Sequence, residues 1–238
     1  MKEKNLFIFG LISATIISCN RIEAVTLSTN EVKLLQLAEQ RFANSLSAPE
    51  VLLVDNAAKG AGGLLYRTTS DKDSDPANSL NWSTNRIIRG DLLAWLCTDP
   101  QAATLVSYQG IQLQGFRIDG QVNLTFSHIP FQLTAIDCAF TGDIRLDRCH
   151  VPAFTLVRCY FKNLEARGAE INGNVLLRDG CKADGVVRFA FAVVDGSFDC
   201  QGSHFINTNG AALDCDGIKI GRDLNLSEGF NAQTGRTG

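Results

Sequence analysis

From Gly110 to the end of the chain, apolar residues recur in pairs at a spacing of five or six residues. Each unit holds an apolar residue, a polar one and a second apolar one, which we call the centre. The residue two before the centre is apolar in 20 of 22 units. Because side chains alternate along a strand, each unit predicts a short β-strand with two inward side chains. The centres are Leu113, Ile118, Leu124, Ile129, Ala135, Phe140, Leu146, Val151, Leu156, Phe161, Ala166, Ile171, Leu177, Ala183, Phe189, Val194, Cys200, Phe205, Cys215, Ile220, Leu226 and Ala232.

Glycine supports this division into units. Nine steps between centres are six residues long, and eight of them contain a glycine, against four of the eleven five-residue steps. An extra residue at a corner favours glycine, because glycine adopts positive φ at little cost. The step from Phe205 to Cys215 is longer and predicts an inserted loop at 206–210.

The repeat predicts a mainly β fold: a right-handed, four-sided parallel β-helix of about 5.5 coils spanning 110–238. Four units make a coil of 21 or 22 residues, coils stack by parallel strand pairing, and parallel crossovers are right-handed. The centres also sort by shape when they are assigned in turn to four faces. The second face stacks Phe140, Phe161 and Phe205, and the fourth carries only β-branched residues.

Residues 149–171 (CHVPAFTLVRCYFKNLEARGAEI) resemble the pentapeptide repeat superfamily, whose unit is a small residue, a polar one, a central Leu or Phe, and two polar ones. Residues 110–124 (GIQLQGFRIDGQVNL) and 171–189 (INGNVLLRDGCKADGVVRF) resemble more closely a set of bacterial proteins with Gly-x-Val-x-Leu units. The resemblance implies the solenoid architecture. It implies little about chemistry, since those proteins are largely of unknown activity.

The region 20–109 predicts a tether followed by an α-helical lead-in that covers the first coil. Apolar residues at helical spacing indicate helices over 30–46 and 47–60, and a third over 89–99 that ends before Pro100. Polar and turn-forming residues predict a loop over 71–79.

The first 19 residues are typical of an export signal. Two lysines precede an apolar run of 13 residues, Leu6–Ser18, which is short for a membrane span. The run ends in Ile16-Ile17-Ser18-Cys19, which resembles the lipobox of bacterial lipoproteins. The resemblance implies cleavage before Cys19, acylation (palmitate) of that residue and anchoring in the bacterial cell envelope. Asn20 favours the outer membrane, with the protein facing the periplasm. The alternative to a lipoprotein signal is an ordinary signal or short anchor in which Cys19 is incidental.

The formal net charge is −3, and no run of Lys and Arg is present. Binding to nucleic-acid phosphates therefore has no support in the sequence. The cysteines do not form a Cys-x-x-Cys pair, so no zinc site is predicted. Cys138, Cys159 and Cys181 are 21 and 22 residues apart and share one inward column, where we expect buried thiols; a disulfide between stacked neighbours is the alternative.

One outward column holds chemistry-bearing side chains. His128, His150 and Glu170 are 22 and 20 residues apart on the fourth face, so they should meet on three successive coils. Such a candidate surface cluster suits a proton-transfer pair or a metal, or is a coincidence on a solvated face. We predict no metal, no cofactor and no catalytic residue, because no nucleophile elbow, Walker loop or HExxH motif is present.

These observations favour a lipid-anchored structural or interaction scaffold of the cell envelope, bound to the membrane through its anchor and to a protein partner. An envelope enzyme of the sugar-processing type, with a surface site on one face, is the alternative. A DNA mimic fits less well, because mimicry needs a strongly acidic surface. Residues 220–238 repeat 171–189 at an offset of 49 and stop where a strand should begin, so we expect either a truncated chain or an end that a partner covers.

Overall fold

A computed structural model of the protein describes residues 29–43, 45–60 and 74–234. Within them the chain winds through about five turns and builds four parallel sheets, one on each face. Each strand inside a sheet pairs with the strands one coil before and after it; Ala183, for example, pairs with Phe161 on one side and Phe205 on the other. The predicted parallel β-solenoid with N-terminal helices is confirmed.

The strands are short, and they are numbered here in chain order. The first face contains β2 (Ile111–Gln114), β5 (Leu133–Ile136), β9 (Phe154–Val157), β13 (Val175–Arg178), β17 (Phe198–Asp199) and β21 (Leu224–Asn225). The second contains β1 (Ile87–Arg89), β3 (Arg117–Asp119), β6 (Ala139–Phe140), β10 (Tyr160–Phe161), β14 (Lys182–Ala183), β18 (His204–Asn207) and β22 (Asn231–Thr234). The third contains β4 (Val122–Asn123), β7 (Ile144–Arg145), β11 (Leu164–Glu165), β15 (Val187–Arg188) and β19 (Leu213–Asp214). The fourth contains β8 (His150–Val151), β12 (Glu170–Ile171), β16 (Val193–Val194) and β20 (Lys219–Ile220).

The core lies inside the coil and consists of the residues that the repeat places inward. All 18 centres from Leu113 to Phe205 are buried. The rings of Phe161 and Phe205 stand on the second face with their centroids 6.4 Å apart. Ser203 is a polar residue at an inward position, and its hydroxyl donates to the carbonyl of Leu177 at 2.7 Å, so its burial leaves no unpaired donor.

The last coil is open. Leu224 and Leu226 are 57% and 41% exposed, whereas Phe198 and Val175, at the position of Leu224 on earlier coils, are 0% exposed. No described residue covers this coil, so its strands carry unpaired edges and its apolar side chains meet solvent.

Helices close the other end. They are α1 (Thr29–Arg41), α2 (Ala48–Lys59), α3 (Gly90–Thr98) and α4 (Pro100–Leu105). α3 packs against β4 of the first coil. α2 is attached through Glu50, whose side chain is 3% exposed and accepts from Nε of Arg89 at 2.7 Å.

Five local elements differ from the sequence predictions. α1 ends at Arg41, earlier than the predicted 46, and residues 206 and 207 of the predicted loop 206–210 belong to β18. The predicted third helix does end before Pro100, but a fourth begins there, because the Asp99 side chain accepts from the backbone N–H of Gln101 and Ala102. Part of the predicted loop 71–79 is helical: a 3-10 helix runs over Pro76–Asn81. β1 pairs with β3, so the second sheet begins upstream of 110, at a strand that the five-residue pattern does not contain.

Candidate functional site

The structure brings the predicted surface cluster together on the fourth face. The rings of His128 and His150 stack with centroids 4.7 Å apart and an interplanar angle of 25°. Nδ1 of His150 lies 3.1 Å from Oε2 of Glu170. Register explains the alignment, since residue 128 bridges to 150 and residue 150 pairs with 170.

This column can hold a proton at a defined atom. Because a carboxylate only accepts, a hydrogen bond to Glu170 requires a proton on Nδ1 of His150, and in the neutral ring Nε2 is then the acceptor. Val193 continues the column on the next coil and adds no ligand. Among the residues that the structure describes, no group of three or more His, Cys, Asp or Glu is arranged to hold a metal ion.

The corner between the third and fourth faces carries a second feature, which the sequence analysis did not identify. The third residue before each fourth-face centre lies in the left-handed region of the backbone, with φ between 52° and 63°. Each of these residues is the third of a four-residue turn onto the fourth face, closed by a backbone bond such as that from the Ser127 N–H to the Leu124 carbonyl. We call this set the corner column; its members are Phe126, Arg148, Gly168, Phe191 and Gly217.

Phe126 and Phe191 are unexpected at such positions. Their φ values are 59° and 58°, and their side chains are 71% and 67% exposed. A bulky residue is rare in the left-handed region, and glycine fills the same corner on other coils without that cost. At the diagonally opposite corner, the non-glycine residues with positive φ are polar: Asp137, Arg158, Asp179 and Glu228. The two rings therefore add apolar surface and backbone strain where folding requires neither.

The two rings flank a cleft of about 680 Å³ at this corner. Phe126, Arg145, Arg148, Arg167, Gly168 and Phe191 line it, and we call it the corner cleft. Gly168 contributes no side chain between the rings, and the atom nearest to a Cβ added there would be Cγ of Arg148 at 3.6 Å. The cleft therefore has aromatic sides and guanidinium groups along its length.

The charges of the cleft are unequal. Asp147 is the one carboxylate among the described residues that line it, and it accepts from the backbone N–H of Arg167 at 3.0 Å and from its Nε at 3.1 Å. Burial would raise the pKa of Asp147, but the hydrogen bonds and charge of Arg167, with the charge of Arg145, hold that pKa below its usual value. Arg148 has no carboxylate within 4.0 Å among the described residues, and its guanidinium carbon lies 5.7 Å from the Phe126 ring centroid.

Nε of Arg145 is buried and has no hydrogen-bond partner among the described residues, although its Nη2 reaches Asp147 at 3.5 Å. On the same face, Glu165 bonds Arg188 on the next coil at 3.1 Å. The carboxylate of Glu165 also lies 3.8 Å from Nε of Arg167, so it is shared between Arg188 and the corner, with the shorter bond to Arg188.

The cysteine column is formed as the spacing predicts. Cys138, Cys159 and Cys181 are buried free thiols, and the Cys181 sulfur accepts from the backbone N–H of Cys159 at 3.4 Å. Burial raises the pKa of Cys159 well above its usual value, and its two neighbouring thiols raise it further. These thiols act as small core residues. Cys19, the predicted lipidation site, lies outside the described residues.

The corner column could have been found in the sequence. Aligning residues by their offset from each fourth-face centre, rather than by the inward pair alone, places two phenylalanines at a turn position. That is the signal which the inward–outward alternation misses, because corner residues belong to neither set.

No protein-family model, curated protein or solved structure matches this chain. No helix in the described part of the chain is long and apolar enough to cross a membrane.

Proposed function

We propose that this protein is a binding protein of the bacterial cell envelope, anchored by lipid at Cys19, whose solenoid presents the corner between its third and fourth faces to a partner. The observation that carries the proposal is the pair of exposed rings, Phe126 and Phe191, held in left-handed backbone. Exposed apolar side chains at strained positions are typical of recognition surfaces, because folding alone selects against both features.

The solenoid is suited to this role. Its backbone hydrogen bonds run from coil to coil, and the first four corner residues are each fixed by a bond to the next coil, as in Phe126 N–H to the Asp147 carbonyl at 2.9 Å. A surface built on such a scaffold loses little conformational entropy when it binds. The rings are thus presented in a fixed arrangement.

Site-specific photo-crosslinking tests the binding surface. p-Benzoylphenylalanine is placed at position 126 or 191 in the full chain, expressed in cells, and irradiated. The matched control is position 158, which is exposed, has φ of 51° and lies on the diagonally opposite corner of a central coil. We expect adducts from 126 and 191 and none from 158. Equal adducts from all three positions, or none, would reject the corner as the binding surface.

Labelling tests the anchor. Cells that express the full chain are grown with radiolabelled palmitate, and the protein is recovered from the envelope. Cys19→Ala should abolish the label and retain the uncleaved signal, whereas a label that survives this substitution would contradict lipidation at Cys19. This test is independent of the corner.

A second candidate function is a hydrolase or lyase of envelope sugars on the fourth face. The hydrogen bond between His150 and Glu170 favours it, since a histidine oriented by a carboxylate is a common general base. Glu170→Gln should then lower turnover of a polysaccharide substrate, while Lys219→Gln, further along the same column, should not. Unchanged turnover in Glu170→Gln would remove this candidate.

A further inference from the structure

The corner cleft has more positive than negative charge. Arg145, Arg148 and Arg167 contribute three guanidinium groups and Asp147 one carboxylate, so two positive charges remain. Glu165 lies 3.8 Å from Arg167 but bonds Arg188 on the next coil at 3.1 Å. The cleft is therefore complementary to an anion, and the guanidinium fork suits a carboxylate or a phosphate.

The two rings add a second requirement. Phe126 and Phe191 are three coils apart on the same corner, about 14 Å at the spacing of about 4.8 Å between stacked strands. Between them on this corner lie Arg148 and Gly168, and Gly168 has no side chain to fill the space. At about 680 Å³ the cleft is within the range of ordinary small-ligand sites. A ligand that fills it needs flat, weakly polar faces beside its negative charge.

This corner does not favour a peptide ligand. Peptide strands bind by pairing with a free sheet edge, but the backbone N–H groups of the corner are already bonded to the next coil. The N–H groups of Arg148, Gly168 and Phe191 donate to carbonyls of the next coil at 2.8, 2.9 and 2.7 Å. Recognition at this corner must use side chains, that is, ring faces and guanidinium groups.

We propose that the corner cleft binds an acidic sugar, a pyranose chain that carries carboxylate or phosphate groups. The C–H face of a pyranose packs on the rings of Phe126 and Phe191. Arg148 receives the anionic group, because it is the guanidinium of the cleft that has no carboxylate partner within the described part of the chain. Arg145 and Arg167 contact the ligand beside it. This inference rests on the proposed function, since it names the class of ligand that the corner binds.

Titration with defined sugars tests the inference. The acylated full chain is held in nanodiscs of neutral lipid, and binding is followed by saturation-transfer NMR and calorimetry. The probes are trigalacturonate, glucose 6-phosphate, neutral maltotriose and inorganic phosphate. We expect a charged sugar to bind and maltotriose not to bind. Trigalacturonate alone assigns carboxylates, and glucose 6-phosphate alone assigns phosphates. Equal affinity for maltotriose, or for inorganic phosphate, overturns the proposal.

Matched variants localise the binding. Arg148→Gln should lower the affinity for the charged probe by about tenfold or more, because it removes charge-assisted hydrogen bonds. Arg158→Gln is the control, since Arg158 has nearly the same φ, 51° against 52°, on the diagonally opposite corner. Phe191→Ser should weaken binding several-fold. Equal weakening in Arg148→Gln and Arg158→Gln would contradict a corner site.

Failure of the sugar titration can be distinguished from failure of the photo-crosslinking that tests the proposed function. Adducts at positions 126 and 191 with no binding of any acidic sugar would reject the sugar and leave a corner that binds another class of partner. Absence of both adducts and sugar binding would reject the two proposals together.

Discussion

The ring of Phe191 lies against the backbone of Gly217, one coil further along the same corner. A Cβ atom added at position 217 would stand 2.7 Å from Cδ1 of the ring and 2.9 Å from Cε1. Such distances do not occur between real Cβ atoms and their neighbours. The place of an exposed ring in the corner cleft thus depends on the missing side chain of a residue on the next coil.

Gly217→Ala is expected to displace the Phe191 ring, whereas Gly168→Ala should leave it in place. Both glycines have similar φ, 63° and 60°, so each alanine costs about 1–2 kcal/mol of left-handed strain. At 168 the nearest atom to the added Cβ is 3.6 Å away. Thermal unfolding should therefore show similar losses, and the aromatic NMR signals of Phe191 should shift in Gly217→Ala alone. Equal shifts in both variants would contradict the contact.

Two leucines on the first face should differ in their contribution to stability. Leu177 and Leu226 are both centres of that face, but Leu177 is 0% exposed and Leu226 is 41% exposed on the open last coil. Leu177→Ala should lower the free energy of unfolding by about 2–5 kcal/mol, because it leaves a cavity in a closed core. Leu226→Ala should cost under about 1 kcal/mol, because less apolar surface is lost from the interior.

Chemical denaturation of the two variants measures this difference. A cost for Leu226→Ala equal to that of Leu177→Ala would mean that the last coil is covered in solution. Because the same side chain is removed at the same position of the repeat, burial is the main variable.

The bond between Glu50 and Arg89 should make stability depend on acid pH. Burial would raise the pKa of Glu50, but hydrogen bonds from Arg89 and the backbone N–H of Ser47 outweigh it and hold that pKa below its ordinary value. A carboxyl with a lowered pKa stabilises the fold above its unfolded pKa of about 4.3, and this contribution is lost as the pH falls through the folded pKa.

Glu50→Gln removes that dependence at one site. At pH 7 the variant should lose about 2–3 kcal/mol, because it removes charge-assisted hydrogen bonds to a buried group. The difference between the native chain and the variant should shrink as the pH is lowered below about 4. Asp147, whose pKa is also lowered, leaves a residual acid dependence in both. Denaturation series at several pH values measure the difference, and a constant gap across them would contradict a titrating Glu50.

The fold was predictable because the repeat is periodic and has one physical cause. An apolar residue that recurs once on every short strand must point into the coil. The burial of Phe161 between Phe140 and Ala183 follows from that rule alone. The stacking of His128 on His150 was predictable for the same reason, since register places outward residues in columns as surely as inward ones.

The elements that were missed have local or long-range causes that the repeat does not contain. α4 begins at a cap formed by Asp99, a residue that the sequence analysis treated as the end of the preceding helix. β1 is a strand because it meets β3 about 30 residues later in the chain, with Ile88 opposite Ile118. The corner column recurs with the repeat, but its strain depends on backbone φ, which a pattern of apolar and polar residues does not report.

Thiol reactivity should follow burial along the solenoid. Burial raises the pKa of Cys149 to about 12, and burial with the charge of Asp214 raises that of Cys215 to about 11. The thiolate is the reacting form, and roughly one Cys215 side chain in a thousand is a thiolate at pH 8. Cys159 is buried among two other thiols, so its thiolate fraction is far smaller. Iodoacetamide followed by peptide mass spectrometry should label Cys215 first, on the partly exposed last coil, and Cys159 only at denaturant concentrations that unfold the whole chain. Labelling of Cys159 before Cys215 would mean that the central coils open while the last coil stays closed, which is the reverse of the order that packing predicts.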